Sequence, residues 1–166
     1  LINECETHNC YVVFLSSNKI FDGSKKFYDV NDLPTPNSNY GSFKAEVEAF
    51  IKENNNLSGC VLRLAKVISK NTDFIERWNH ELEEGKLINV FTNHYFSPIP
   101  AKNVVDTILL LIKKRSLGLY QLGSNDITSY HDYARIYFAD NKKALNLLNP
   151  LTDKQPIYNS LISNLK

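Results

Sequence analysis

CYVVFLSS (Cys10 to Ser17) and VLRLAKVI (Val61 to Ile68) are the two stretches on which the fold turns. The core of the first, Cys10 to Leu15, is a short, unbroken apolar run rich in β-formers, and it ends in Ser16 and Ser17. Such a run predicts a strand buried on both faces of a parallel sheet. Val61 to Ile68 predicts a second one. Between them Phe21-Asp22-Gly23 opens a polar stretch, and Pro34 and Pro36 bar a helix until after position 36. A helix then begins near Asn37 to Asn39, with Tyr40, Phe43, Val47, Phe50 and Ile51 on one face at 3.6-residue periodicity. It stops at the run Asn54, Asn55, Asn56 and at Gly59. Strand, loop, helix and strand follow one another in βαβ order, so the predicted class is α/β with a parallel sheet.

Downstream, Asp73 to Glu84 predicts an amphipathic helix with Thr72 as cap, Gly85 as stop and Trp78 on its buried side. The phenylalanines are assigned to the core with Trp78. Leu87 to Phe91 reads as a short strand, and Asn93 to Pro98 as a polar, aromatic loop of the kind that lines sites. Ala101 to Lys114 is a helix closed by Lys113, Lys114 and Arg115, where cations suit the dipole. Leu119 to Leu122 is a small strand. Ser129 to Phe138 is a helix capped by Thr128 or Ser129, and beyond Ala139 only Leu145 to Leu148 suggests a helical turn.

Composition limits what such a chain does. With 166 residues, 43% hydrophobic and 22% charged, it can bury enough apolar surface to fold, which excludes disorder. A net charge of +1 gives no field for nucleic acid or an anionic membrane, and no apolar run reaches a membrane span. Three cysteines without a secretory leader favour reduced thiols, hence a cytoplasmic protein. Cys10 and Cys60 sit in apolar runs and read as small core residues. Cys5, His8 and Cys10 lack the further ligands that a zinc site needs, so no metal is expected. Six glycines form no phosphate-cradling loop, and the absence of methionine, with Leu at position 1, predicts an N-terminally incomplete chain.

Tyr40 and Lys44 stand one helical turn apart on the predicted helix and project from the same face. A phenol is too weak an acid near neutrality, but a neighbouring ammonium favours the phenolate and tunes Tyr40 as a proton donor to a developing alkoxide. Ser17, at the end of a buried strand, offers a hydroxyl to the same oxygen. Carboxyl ends of parallel strands are where open α/β sheets place ligands. About one such Tyr-Lys spacing arises by chance in a chain of this size, so the surrounding text has to carry the reading.

That text is LSSNKIFDG (Leu15 to Gly23) followed by PNSNYGSFKAE (Pro36 to Glu46), then LRLAKV (Leu62 to Val67), NHYFSP (Asn93 to Pro98) and GLYQLG (Gly118 to Gly123). It resembles the extended short-chain dehydrogenase/reductase family, most closely its dTDP-4-dehydrorhamnose reductase-like, sugar-nucleotide branch, over nearly the whole chain. The resemblance implies a Rossmann-type parallel sheet, of which residues 1–68 are the carboxyl half. Residues 69–166 are then mainly a small C-terminal substrate-binding lobe, with helix 101–115 packing back on the Rossmann domain. It implies NADP or NAD as cofactor, with Ser17, Tyr40 and Lys44 as the catalytic Ser, Tyr and Lys. Ser16, Tyr40 and Lys44 are the implied cofactor contacts. The family's first βαβ units, with the glycine loop, would precede Leu1. The implied activity is reduction of a nucleotide-linked keto-sugar, in a protein that can form a homodimer. Epimerisation of a sugar nucleotide and a non-catalytic, cofactor-binding regulatory subunit of the same fold are the alternatives.

Departures from the branch mark the substrate pocket. Asn18-Lys19 stands where Asp-Tyr is usual, Lys66 where Trp is common, Asn93-His94 where Asp-Gln is usual, and Phe96 in place of a Gly. Asn18, Lys19, Lys66, Asn93 and His94 are therefore the expected substrate-binding residues, in a pocket reshaped for another sugar. Asn18-Lys19 cannot supply the Asp-Glu pair that sugar-nucleotide dehydratases use, which disfavours dehydration. Lys19 and Lys66 either contact an anionic group of the ligand or lie solvated at a core edge. Arg63, inside an apolar strand, needs a buried partner.

Overall fold

In a computed structural model, which describes residues 2–54 and 58–165, a short helix α1 (Ile2–Thr7) leads into strand β1 (Val12–Ser17). A single 3-10 turn (Asn18–Ile20) and an irregular strap follow, then helix α2 (Asn39–Glu53) and strand β2 (Gly59–Leu64). Asn55 and Asn56, in the predicted helix stop, lie outside the described residues. β1 and β2 pair in parallel from Val12↔Gly59 to Ser17↔Leu64, and β2 pairs in parallel with β7 (Gly118–Leu122). The sheet order is β1-β2-β7. The βαβ reading therefore holds, with two corrections.

First, the strand extends through both serines, and only its partner is fully enclosed. β2 is buried almost throughout, whereas β1 is half-buried and Leu15 is 39% exposed. β1 is an edge strand among the described residues, so its apolar composition exceeds what this chain covers. Cys10, just before it, is exposed, and only Cys60 joins the core. Second, the apolar stripe of α2 faces outward. Tyr40 is 55% and Phe43 60% exposed, and Phe50 is also exposed, so these phenylalanines are not core. The inward side carries Gly41 and Glu48 instead. Helical periodicity reveals a stripe, but not which neighbour covers it.

An ion pair sets the rotation of α2. Arg63 of β2 and Glu48 of α2 are both buried, with Arg63 Nη2 donating to Glu48 Oε2 at 2.8 Å and Nε lying 3.1 and 3.2 Å from the two carboxylate oxygens. Nη1 donates to the Val30 carbonyl at 3.1 Å and to Gln121 Oε1 at 3.2 Å, which ties in the strap and β7. The guanidinium thus finds the partner that its position in an apolar strand demands. Gly41 is needed for a different reason: a Cβ there would overlap the Lys19 carbonyl oxygen, so α2 can reach the 3-10 turn only with glycine.

The predicted second strand breaks at Ala65, whose N–H bonds the Leu122 carbonyl, and resumes as β3 (Lys66–Ile68). Helix α3 (Asp73–Glu83) follows Thr72, which spends its hydroxyl on Ser69 rather than on the helix N-terminus. Gly85, at φ +67°, ends it. β4 (Ile88–Phe91) is the predicted strand, but the Asn93 to Pro98 stretch is not a loop. It forms β5 (His94–Phe96), followed at once by β6 (Pro98–Pro100), which pairs in parallel with β3. α4 (Ala101–Lys114) places Leu111 against Cys60 and Leu62 of the three-stranded sheet. Further on come β8 (Thr128–Ser129), antiparallel to β5, and helix α5 (Tyr130–Tyr137), capped by Ser129. Helix α6 (Lys142–Leu147) and strands β9 (Leu148–Leu151) and β10 (Ile157–Asn159) complete the chain, β9 pairing with β4 and β10 with β5. Trp78, fully buried, centres a second core with Phe74, Ile88, Val90, Phe96 and Phe138.

Candidate active site

At the carboxyl end of β1, Ser17 caps the 3-10 turn. Its Oγ accepts from the Lys19 N–H at 3.2 Å and donates to Asn18 Oδ1 at 3.3 Å. Ser38 caps α2 by accepting from the Gly41 N–H at 3.1 Å, which sets Tyr40 in the first helical turn. One turn on, Lys44 Nζ donates to the Leu15 carbonyl at 2.9 Å and lies 5.6 Å from the Tyr40 ring centroid and 4.7 Å from that of Phe14. The contact of Gly41 with Lys19 brings this end of α2 onto the turn that follows Ser17. The start of α2, which carries Tyr40 and Lys44, therefore packs on the end of β1 from which Ser17 leads into the turn. No hydrogen bond joins the Tyr40 phenol to Ser17 among the described residues, and the phenol stands open to solvent. Ser16 points the other way, buried, its hydroxyl without a hydrogen-bond partner among the described residues.

Beside Ser17 lies a cavity of about 230 Å³, walled by Ser17, Asn18, Lys19, Lys66, Tyr130 and Asn159, with Ala65 and Val67. Three of the expected substrate residues thus share one wall, Asn18 and Lys19 from the 3-10 turn and Lys66 from β3. Lys19 Nζ donates to Asn159 Oδ1 at 2.9 Å, and Lys66 Nζ lies 5.3 Å from the Phe74 ring centroid. The Lys19 ammonium is pushed down from the usual lysine range, first by desolvation and then by the Lys66 charge.

Tyr130 also walls a second cavity of about 250 Å³, with Phe74, Arg77, Trp78, Asn89, Phe91 and His94. Burial pushes the Tyr130 phenol up, with the Arg77 charge opposing. His94 belongs to this second space: it stacks on Phe91 at 4.0 Å between ring centroids, and its Nε2 lies 2.6 Å from Asp153 Oδ2. Asn93 lines neither cavity. Its amide donates to the Asp153 carbonyl and accepts from the Asp153 N–H, clamping the chain before β10. Tyr130, Asn159, Arg77 and Asn89 were not legible as site residues. Arg77 sits on a helix whose pattern announces only core, and Asn159 lies where periodic signals fade.

The family described as "RmlD substrate binding domain" matches residues 1–159. The chain belongs to that family. Similar proteins include methionine adenosyltransferase 2 subunit beta of Bos taurus, 28% identical over 92% of this chain and 48% of that protein. Another is dTDP-4-dehydrorhamnose reductase of Salmonella typhimurium, 26% identical over 81% of this chain and 47% of that one. Among solved structures, dTDP-4-dehydrorhamnose reductase of Bacillus anthracis in complex with NADP superposes with a TM-score of 0.82 at 22% identity, covering 96% of this chain and 59% of that one. The chain therefore has the α/β architecture of part of an extended short-chain dehydrogenase/reductase, as its motifs imply. It spans about half the length of the curated relatives it matches. No helix among the described residues is long and apolar enough to cross a membrane.

Proposed function

We propose that this RmlD-type chain carries the proton-transfer half of an NAD(P)-dependent reductase acting on a nucleotide-linked keto-sugar. The observation that supports the reading is the packing of α2 on the end of β1, through Gly41 at the turn after Ser17 and Lys44 on the Leu15 carbonyl, beside a cavity that Ser17 itself lines. In this reading Ser17 donates a hydrogen bond to the substrate carbonyl oxygen, Tyr40 gives its proton to that oxygen as the alcohol forms, and Lys44 holds positive charge beside the phenol. The nicotinamide, when bound, supplies the hydride to the carbonyl carbon.

Fit to such a cofactor is supported at one end. An open phenol and an ammonium one turn apart suit a ribose and nicotinamide, whereas Ser16 is buried on the opposite side of β1 and does not reach this end. No glycine-rich phosphate loop occurs in these 166 residues, so the diphosphate end needs other chain. The two cavities on either side of Tyr130 suit a two-part ligand, sugar beside Ser17 and nucleoside against Phe91 and Arg77.

A regulatory, cofactor-binding role is the second reading, favoured by the similarity to methionine adenosyltransferase 2 subunit beta and by the Tyr40 phenol standing unbonded to Ser17. One experiment separates the two. The complete natural chain containing these residues is assayed for NADH and NADPH oxidation with a panel of nucleotide-linked keto-sugars, against Tyr40→Phe. Reduction that falls by about 10²-fold or more in the variant supports the enzyme. Tight cofactor binding with no turnover in either protein supports the regulatory role.

A further inference from the structure

The wall of the cavity beside Ser17 carries two ammonium groups and no carboxylate. Lys19 reaches it from the turn after β1 and Lys66 from the start of β3. Among the described residues the Lys19 ammonium donates to the neutral Asn159 amide, and the Lys66 ammonium lies over the face of Phe74. Neither makes an ion pair among the described residues. Two like charges held on one small cavity repel, and a partly desolvated cation without a counter-ion is costly. The lowered affinity of Lys19 for its proton records both effects.

An anion relieves this strain. Asn18 and Asn159 add amide donors on the same wall, so the cavity offers charge and hydrogen bonds together. A nucleotide-linked sugar has two places for an anion, the diphosphate and a carboxylate on the ring. The diphosphate has a separate cation: Arg77 lines the second cavity, across Tyr130, its side chain largely exposed and its Nε 3.9 Å from Glu81 Oε1. Lys19 and Lys66 instead flank Ser17, where the reacting carbonyl sits in the proposed reading.

Resting on that reading for the placement of the sugar, we infer that this cavity selects an acidic sugar, a hexuronate-type ring whose carboxylate lies between Lys19 and Lys66. The test uses UDP-glucuronate and UDP-glucose, which share base and diphosphate and differ in the C6 carboxylate, repeated with the thymidine pair. Binding to the complete natural chain is measured by titration calorimetry, without turnover. The acidic sugar binds at least about 10-fold tighter than the neutral one, and Lys19→Gln or Lys66→Gln, each checked by circular dichroism, abolishes that preference by weakening the acidic sugar more than the neutral one. Lys66→Arg keeps it. Equal affinity of the wild type for both sugars, absence of binding included, overturns the inference. So does an equal loss for both sugars in the Gln variants, which would assign the lysines to the diphosphate. The same titration on Tyr40→Phe keeps the two claims apart: acid preference without any Tyr40-dependent reduction leaves the cavity assignment standing and removes the reductase.

Discussion

Replacing Glu48 by Leu leaves the Arg63 guanidinium, 3% exposed in its side chain, without the carboxylate that receives three of its contacts. The Val30 carbonyl, Gln121 Oε1 and the Phe21 ring, 5.3 Å from the guanidinium carbon, remain, but none carries charge. Breaking a buried pair from one side costs about 3–5 kcal/mol. Against a total stability on the order of 5–15 kcal/mol this is a large share. In a chain of this size it lowers Tm by about 6–20 °C, at roughly 2–4 °C per kcal/mol. Removing both charges together, in Glu48→Leu with Arg63→Met, takes away the uncompensated ion and leaves only Gln121 Oε1 and the Val30 carbonyl short of a donor, each costing about 1–3 kcal/mol. The double variant is therefore much less unstable than the two single losses added, with a coupling of at least about 2 kcal/mol. Urea unfolding followed by circular dichroism, on wild type, both singles and the double, gives the full cycle. Additive losses within about 0.5 kcal/mol, or a cost below about 1 kcal/mol for Glu48→Leu, would refute the claim that this pair anchors α2 on β2.

Gly41→Ala forces a Cβ against the Lys19 carbonyl oxygen, so it lowers stability by about 1–3 kcal/mol despite the better helix propensity of Ala; an unchanged Tm would show that α2 and the Ser17 turn are not in close contact. Asp22 accepts from the Tyr28 hydroxyl at 2.6 Å and from Ser24, which holds its carboxyl below the usual range, with Tyr28 the larger cause. A depressed carboxyl pKa adds stability that is fully present above the unfolded value of about 4 and fades as pH falls through the folded one. Thermal melts between pH 6 and pH 2, as rough limits around that value, accordingly show a shallower loss for Asp22→Asn than for wild type, and parallel curves would count against the strap contact.

The elements legible in the sequence are those that local pattern specifies. β1, β2, α2, α3, α4 and α5 each carry a continuous apolar run, a 3.6-residue stripe or a cap, and each forms within a few residues of its expected bounds. β5, β8, β9 and β10 have two to four residues each and carry no pattern of their own. They are strands because a partner strand from far along the chain satisfies their N–H and C=O groups. The same holds for exposure: the stripe on α2 was visible, but its outward direction follows from the Arg63–Glu48 pair and the Gly41 contact on the opposite side.

By itself the sequence determined the βαβ order and the Ser17, Tyr40 and Lys44 spacing, because strand runs, proline blocks, helix caps and one-turn offsets are all encoded between near neighbours. Tertiary structure alone decided that Lys19, Lys66 and Asn159 share one cavity, that Asn93 is spent on Asp153 while His94 faces a different space, and that Tyr130 divides the two. Those relations join residues far apart along the chain, and no local propensity contains them. They come into being only when β3, β5 and β10 find their partners and the chain closes around the cavity.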